Sequence, residues 1–205
     1  MSISAVLTGD LIDSQSVQDT NAYVAQLKAT LDRLAAAYDF KAEQYRGDGF
    51  QLTLNEPSRA FECAVVLRAG LIASSPDTER FDARIAIGIG GAPSDNHYGE
   101  AFVLSGQGLD GMKKSTLGIF SHAEQLLDRT ALPTEFVASI IDGWTRIEAE
   151  TFFLHATQQS SQKDLAQLLG KSRVTVHKAL QRANATLIDR YIERTQDWVR
   201  ELHHV

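Results

Sequence analysis

The sequence contains one cysteine, four prolines and no long apolar run. A single cysteine excludes a disulfide framework and a cysteine-based zinc site, and the apolar surroundings of Cys63 predict a small buried side chain. The longest apolar runs are far shorter than the roughly 20 residues that cross a membrane. The start also lacks the basic stretch and long apolar stretch of a signal peptide. These absences favour a soluble, cytoplasmic protein.

Length and charge suggest one domain with a smaller module. The chain has 205 residues, of which 43% are hydrophobic, enough to bury a full core. The net charge is -6, yet residues 144–205 hold nine Lys or Arg and seven Asp or Glu, so the first 143 residues carry -8. We therefore predict an acidic domain over 1–142 and a mildly basic one over 143–205, separated at the turn pair Asp142-Gly143.

The apolar pattern of the first part predicts the order strand, helix, strand, strand, helix, strand. The predicted strands are 3–8, 40–45, 50–54 and 83–89, and the predicted helices are 21–38 and 57–72. This order is the split βαβ, or ferredoxin-like, arrangement. We therefore predict an α+β fold with an antiparallel sheet and helices on one face. A helix at 100–113, a strand at 117–120 and helices at 123–128 and 133–141 are expected to follow.

Two aspartates stand at predicted strand ends. Asp10 closes the segment VLTGD, and Asp48 lies in the hairpin turn of YRGDGF. The predicted topology makes the first and third strands neighbours, so the two carboxylates should converge and could hold Mg²⁺ against a nucleotide. Asp13 is a third candidate, with a turn or helix cap as the alternative. Nearby backbone amides could cradle phosphates, and the candidates are Gly9, Leu11, Ile12, Gly47 and Gly49. Taken singly, both aspartates are also ordinary turn and strand-end residues.

Three motifs resemble the class III nucleotidyl cyclase domain and its diguanylate cyclase relatives. LTGDLIDS is similar to the first strand with its metal-binding Asp, YRGDGFQL to the hairpin with the second, and RIAIGIG to a later strand. More narrowly, the chain resembles the SatD family of bacterial proteins, which add a C-terminal helical segment to such a domain. The resemblance extends over residues 3–128 and implies a metal at Asp10 and Asp48 with a nucleotide ligand.

Three positions depart from the cyclase pattern. Gln44 stands where those domains have a base-selecting Lys, and Val103 and Gln107 stand where they have the Asn and Arg that stabilise the transition state. Val offers no hydrogen bond, and Gln cannot neutralise developing phosphate charge. These departures shift the expectation from turnover to binding. A Mg-dependent cyclase or nucleotidyltransferase, and a protein-interaction module with a vestigial site, remain the alternatives.

The segment from Trp144 resembles the helix-turn-helix of sigma-factor region four and of response regulators. Ser160 or Ser161 should cap its first short helix, Gly170 should make the turn, and Ser172 should cap the second helix. The predicted buried set is Leu165, Ala166, Leu169, Val174, Val176 and Leu180. The remaining polar face suits a DNA major groove; its candidates are Lys171, Arg173, Thr175, His177, Lys178, Gln181 and Arg182. Docking to another protein is the alternative.

An apolar series continues beyond Asn184 and forms a stripe that needs a partner. Its members are Leu187, Ile188, Tyr191, Ile192, Trp198, Val199 and Leu202. The stripe can pack back on the body or join a twofold-related copy, and Trp198 near the terminus favours a homodimer. Together these patterns predict a DNA-binding transcriptional regulator whose cyclase-like domain binds metal or nucleotide.

Overall fold

The computed structural model describes residues 3–45, 47–91, 99–158 and 160–202. Within them the strands are β1 (Ile3–Leu11), β2 (Phe40–Tyr45), β3 (Gly49–Leu54), β4 (Ala83–Gly91) and β5 (Leu117–Ser121). The helices are α1 (Thr20–Tyr38), α2 (Ala60–Ala73), α3 (Glu100–Gly111), α4 (Glu124–Asp142), α5 (Arg146–Gln158), α6 (Gln162–Leu168), α7 (Arg173–Arg182) and α8 (Ala185–Leu202). A 3-10 turn, Pro57–Arg59, precedes α2. In these ranges no helix combines the length and apolar character needed to span a membrane.

The sheet has the strand order β2-β3-β1-β4-β5. β1 pairs antiparallel with both β3 and β4, which confirms that the first and third strands are neighbours. β4 and β5 are parallel, because the connection through α3 returns the chain in the direction of β4. The sheet is therefore mixed, and the prediction of a wholly antiparallel sheet was wrong. The ferredoxin-like classification stays a prediction.

Helices lie on both faces of the sheet, so the prediction of helices on one face was also wrong. Side chains alternate between the faces of a strand, and Ala5 and Leu7 of β1 join the core that α1 and α2 complete. On the opposite face, Gly88 of β4 lies directly under α3. A Cβ there would overlap the carbonyl oxygen of Ala101 and the amide nitrogen of Ser105. The missing side chain at this strand position lets α3 approach.

One half of this second face is polar. α3 packs on β4, β1 and β5, and β2 and β3 present polar side chains on this face. Lys41, Glu43 and Tyr45 of β2 are exposed, and Gln51 and Thr53 of β3 are partly buried. This polar half of the sheet borders the strand ends that carry the candidate site.

α4 is one continuous helix, although the sequence predicted two segments, 123–128 and 133–141. Pro133 lies inside it, and a proline removes one backbone hydrogen bond and usually kinks or ends a helix. The buried side of α4 nevertheless runs past the proline at a spacing of three or four residues: Leu126, Thr130, Thr134, Val137 and Ile141. Packing of this continuous side outweighs the loss at one turn.

The turn between α6 and α7 is the one that the sequence predicts. Gly170 has a φ of +60°, which glycine adopts without strain. Ser161 caps α6 by accepting the amide of Asp164 at 3.3 Å, and Ser172 caps α7 by accepting the amide of Thr175 at 3.1 Å. The predicted turn and the caps at Ser161 and Ser172 are confirmed.

The apolar stripe of α8 packs on the body of its own chain, except at Leu187, which is 51% exposed. The hydroxyl of Tyr191 forms a hydrogen bond with that of Thr134 at 2.8 Å, and its ring meets Phe61 edge-on with centroids 5.9 Å apart. Trp198 and Leu202 are partly buried against the same core. Packing on the body is thus the alternative observed, and the stripe gives no support to a homodimer.

The two predicted domains share one packed core. α5 lies along α2, and Nη1 of Arg80 donates to the carbonyl oxygen of Trp144 at 2.6 Å. One cluster of buried apolar residues, which includes Cys63, runs through both parts. The predicted boundary at 142–143 coincides with the end of α4, and the division into domains stays a prediction.

Candidate functional site

The ends of β1 and β3 place the segments that carry Asp10 and Asp48 side by side. Asp10 lies opposite Gly49 across the β1–β3 pair, and the amide of Leu11 donates to the carbonyl oxygen of Asp48 at 3.1 Å. Both aspartates are partly buried. The predicted convergence of these segments is confirmed, while a metal-binding role for them is untested.

Arg84 of β4 holds the carboxylate of Asp10. Its Nε and Nη2 atoms donate to the two carboxylate oxygens at 2.9 and 2.5 Å, a two-point geometry that strengthens such pairs. Its Nη1 atom donates to the carbonyl oxygen of Met112 at 3.0 Å. The side chains of Arg84 and Asp10 are 33% and 29% exposed. Hydrogen bonding to Asp10 raises the pKa of Arg84, so the guanidinium stays charged and neutralises the carboxylate.

Arg84 was not predicted as a site residue, although the sequence carries a signal for it. β1 and β4 are paired so that Arg84 stands directly opposite Asp10, and opposite charges at facing positions attract. The signal becomes readable only when the two strands are known to be neighbours in this register.

Asp48 is held by the loop that follows β1. The hydroxyl of Ser14, a buried residue, donates to Oδ2 of Asp48 at 2.7 Å. Asp13 has a φ of +53° and is exposed, and its carbonyl oxygen accepts the amide of Ser16 at 2.8 Å. This is the turn placement that was the alternative to a metal role for Asp13.

Most of the backbone amides predicted to cradle phosphate already have partners. The amides of Leu11 and Ile12 donate to carbonyl oxygens of neighbouring segments at 3.1 and 3.0 Å. Gly9 and Gly49 lie within the paired strands β1 and β3. Gly47 is exposed in the hairpin turn with open space around it. A phosphate at Leu11 or Ile12 would therefore have to displace a bond, whereas Gly47 is unobstructed.

A short chain of hydrogen bonds lies on the sheet face that carries Asp10. Nε2 of Gln51 donates to Oγ1 of Thr8 at 2.9 Å, and Thr8 is bonded to the hydroxyl of Ser105 at 2.8 Å. The chain links β3, β1 and α3, and Thr8 shares its face with Asp10 because strand residues two apart point the same way. No sequence pattern predicted these three residues, because their contact depends on where α3 packs.

The three positions that depart from the cyclase pattern lie on the surface. Gln44 is exposed on the edge strand β2, and Val103 and Gln107 are exposed on α3. None of them adds a charged group beside Asp10 or Asp48. Binding without turnover stays a prediction.

A metal at the strand ends would rest on two carboxylates. Across the described ranges, no group of three or more His, Cys, Asp or Glu side chains is placed to hold a metal ion. Mg²⁺ commonly binds through one or two carboxylates together with the phosphates of its substrate. Two carboxylates would therefore be enough for a cation that arrives with a nucleotide, and its binding at Asp10 would require the Asp10–Arg84 pair to open.

α7 has one buried side and one exposed side. Its buried residues are Val176, Ala179 and Leu180. The exposed residues are Arg173, Val174, Thr175, His177, Lys178, Gln181 and Arg182. Six of the seven predicted DNA contacts are among them, and Lys171 lies partly buried in the preceding turn. This exposure is a requirement for DNA binding, and the role itself is untested.

Val174 is exposed, and its predicted place in the buried set was wrong. Its side chain is 62% exposed. It is two residues from the buried Val176, and successive helical residues are turned by about 100°, so the two side chains lie on opposite sides of α7. The rest of the predicted set is fully or partly buried: Leu165, Ala166, Leu169, Val176 and Leu180.

An ion pair attaches α7 to α5, and a hydrogen bond between a histidine and an aspartate attaches α8 to α5. Nε of Arg182 donates to Glu148 at 2.8 Å, and Nε2 of His155 lies 3.0 Å from Asp189. Burial opposes the charge on Glu148, but hydrogen bonds from Thr145 and Arg182 hold its pKa below the usual range. The hydrogen bond to Asp189 raises the pKa of His155. Arg182 thus anchors α7, which competes with its predicted contact to DNA.

Comparison with known proteins found similarity only among solved structures. No protein-family model matches the chain, and no curated protein matches it. The guanylyl cyclase domain of the RhoGC fusion protein from the aquatic fungus Blastocladiella emersonii aligns with a TM-score of 0.41 and 18% identity, covering 54% of this chain and 74% of that one. A class III adenylyl cyclase-like ATP-binding protein from Pseudomonas aeruginosa aligns with a TM-score of 0.38 and 12% identity, covering 97% of this chain and 44% of that one. Both scores are below 0.5, so neither likeness assigns a function. The SatD resemblance stays a prediction.

Proposed function

We propose that this chain is a DNA-binding regulator that contacts the major groove through α7. The observation that carries the proposal is the two-sided character of this helix. Its apolar side is packed against α5, α6 and α8, while its polar side is exposed along the whole length of the helix. A helix held in this way can enter a groove without rearrangement of the fold.

Charge and geometry support contact by the start of α7. In helix-turn-helix proteins the N-terminal part of the second helix meets the base edges. Arg173 is the first residue of α7, and its guanidinium can bond O6 and N7 of guanine, while Lys171 and Lys178 suit phosphates. The charge of -8 on the first 143 residues repels DNA, so contact is expected at this end of the molecule.

Replacing Arg173 with Ala is expected to weaken binding of a selected DNA site by about 1–3 kcal/mol, the loss of a two-point base contact. Lys178→Ala is expected to weaken binding to DNA of any sequence. The negative slope of log affinity against log salt concentration should become shallower by about 1. Fluorescence anisotropy at several salt concentrations measures both, with the full chain and DNA selected from a random pool.

Lys41→Ala is the matched control, because it removes the same charge from an exposed position on the edge strand β2. The affinity of the Lys41→Ala variant for DNA should equal that of the unmodified chain. Equal affinities for the Lys41, Arg173 and Lys178 variants would count against the role of α7, as would selection that enriches no sequence.

A second function is proposed for the strand ends, where the convergence of Asp10 and Asp48 favours a divalent cation with a nucleotide. The cation would take both carboxylates, and Arg84, released from Asp10, would meet a phosphate oxygen. Mg-dependent cyclase or nucleotidyltransferase chemistry is the alternative at the same site. Val103 and Gln107 disfavour it, because they cannot stabilise developing phosphate charge.

Replacing Arg84 with Ala should change cation and nucleotide binding in opposite directions. Mn²⁺ alone is expected to bind about 5- to 30-fold more tightly. In the unmodified chain the cation has to break the Asp10–Arg84 pair, at a cost of about 1–2 kcal/mol, and in the variant this pair is absent. Mg²⁺-ATP is expected to bind more weakly, because a phosphate partner is gone. Isothermal titration calorimetry measures both affinities.

Asp10→Ala and Asp48→Ala should abolish the heat of binding in both titrations. Arg146→Ala is the control, since Arg146 forms an exposed pair with Asp77 and should leave both affinities unchanged. Identical heats in all these variants would remove the site and leave a protein-interaction module with a vestigial site as the better description.

A further inference from the structure

Val174 is the one apolar side chain on the exposed side of α7. It precedes His177, Lys178 and Gln181 by three, four and seven residues, so the four side chains form one stripe along the helix. Val174 therefore belongs to the surface that would face DNA, at its N-terminal end.

We propose that Val174 contacts the C5 methyl group of a thymine, which makes it a specificity-determining residue. The proposal rests on DNA binding by α7 as proposed above. Thymine presents a methyl group in the major groove, and apolar side chains make contact with it. Val174 is the second residue of α7, within the part of a recognition helix that meets base edges.

The surroundings of Val174 favour DNA over an apolar protein partner. Residues 170–182 contain four Lys or Arg and no Asp or Glu, although one of the four, Arg182, is paired with Glu148. Arg173 precedes Val174 directly, and Lys178 lies one turn further on the same stripe. Leu187 of α8 is also exposed and lines a cavity with His177 and Gln181. Two apolar side chains are still too small an apolar area for a protein interface core, whereas Val174 alone matches the single methyl group of a thymine.

Thr175 takes part in the cap of α7, so its hydroxyl already has a partner. Its hydroxyl is already bonded to that of Ser172 at 2.8 Å, within the cap of α7. In the first turn, Arg173 and Val174 are then the side chains without a capping role. We expect the recognised sequence to combine a guanine, read by Arg173, with an adjacent thymine, read by Val174.

Deoxyuridine substitution tests the contact, because it removes only the thymine methyl group. A DNA site is first selected with the full chain, and each thymine is then replaced in turn. One replacement is expected to weaken binding by the unmodified chain about fourfold, the effect of one methyl-sized apolar contact. Val174→Ala should bind the thymine and deoxyuridine sites equally, and Val174→Ile should restore the preference for thymine.

Leu132→Ala serves as control, because Leu132 is 59% exposed on α4 and should leave the preference unchanged. If no replacement weakens binding, or if Val174→Ala keeps the preference, the contact is excluded while DNA binding by α7 stands. If no DNA site can be selected, the proposed function fails and the contact fails with it.

Discussion

Replacing Asp82 with Ala is expected to lower the free energy of unfolding by about 3–5 kcal/mol, because it leaves the buried guanidinium of Arg68 without its main partner. Nε and Nη2 of Arg68 donate to the two carboxylate oxygens of Asp82 at 2.9 and 2.7 Å. The side chain of Arg68 is 0% exposed and that of Asp82 is 4% exposed.

The pair matters because it joins distant parts of the chain. Arg68 lies on α2 and Asp82 just before β4, and Arg68 also donates to Asp142 at the end of α4 at 2.7 Å and to Thr116 at 3.0 Å. Burial opposes a charge on Arg68, but Asp82 and Asp142 outweigh it and raise the pKa of Arg68. The group therefore stays charged, and its desolvation has to be balanced by these carboxylates.

Urea denaturation, monitored by tryptophan fluorescence, measures the free energy of unfolding of each variant. Asp77→Ala is the matched control, because it breaks an ion pair with Arg146 whose side chains are 86% and 51% exposed, and it should cost at most about 1 kcal/mol. The double variant Arg68→Met, Asp82→Leu should recover much of the stability, since it removes both buried charges. Equal losses for Asp82→Ala and Asp77→Ala would show that burial does not govern the effect.

Replacing Gly88 with Val is expected to destabilise the fold by about 3 kcal/mol, although Val suits a strand better than Gly does. The added Cβ would overlap the carbonyl oxygen of Ala101 and the amide nitrogen of Ser105. These are backbone atoms of α3 and cannot rotate away, so α3 must move off the sheet. The hydrogen bond between the hydroxyls of Ser105 on α3 and Thr8 on β1 would be lost as well.

Gly106→Ala is the control on α3 itself. Apart from its chain neighbours and the backbone of α3, no atom of the described residues lies within 4 Å of a Cβ at Gly106, and Ala is more favourable than Gly inside a helix by about 1 kcal/mol. This variant should therefore be more stable than the unmodified chain in the same urea titration. A Gly88→Val protein as stable as the unmodified chain would contradict the close packing of α3 on β4.

Local patterns were sufficient where local chemistry decides the structure. Gly170 and Ser172 define the turn and the start of α7, because a left-handed glycine and a capping hydroxyl act within a few residues. Alternating and helical apolar spacing predicted β1 to β4 and most helices. The convergence of Asp10 and Asp48 followed from the order of those elements, since that order makes β1 and β3 neighbours.

The errors occurred where residues far apart in the chain decide the outcome. The face occupied by α3 depends on its fit to Gly88, and the single helix α4 depends on packing that outweighs Pro133. The pairing of Arg84 with Asp10 depends on the register of β1 and β4. Val174 is a different case, because helical spacing from Val176 already placed it on the exposed side.

The sequence by itself determined the order of the elements, the turn before α7 and the position of two aspartates at adjoining strand ends. These follow from backbone preferences and from the period of apolar residues, which act over short distances. The tertiary structure decided that Arg84 neutralises Asp10, that α8 packs on the core of the same chain and that one side of α7 is exposed to solvent. Each of these outcomes depends on contacts between segments that are distant in sequence. The free energy of such a contact is set by how closely the segments pack in the folded chain, which a local sequence pattern does not contain.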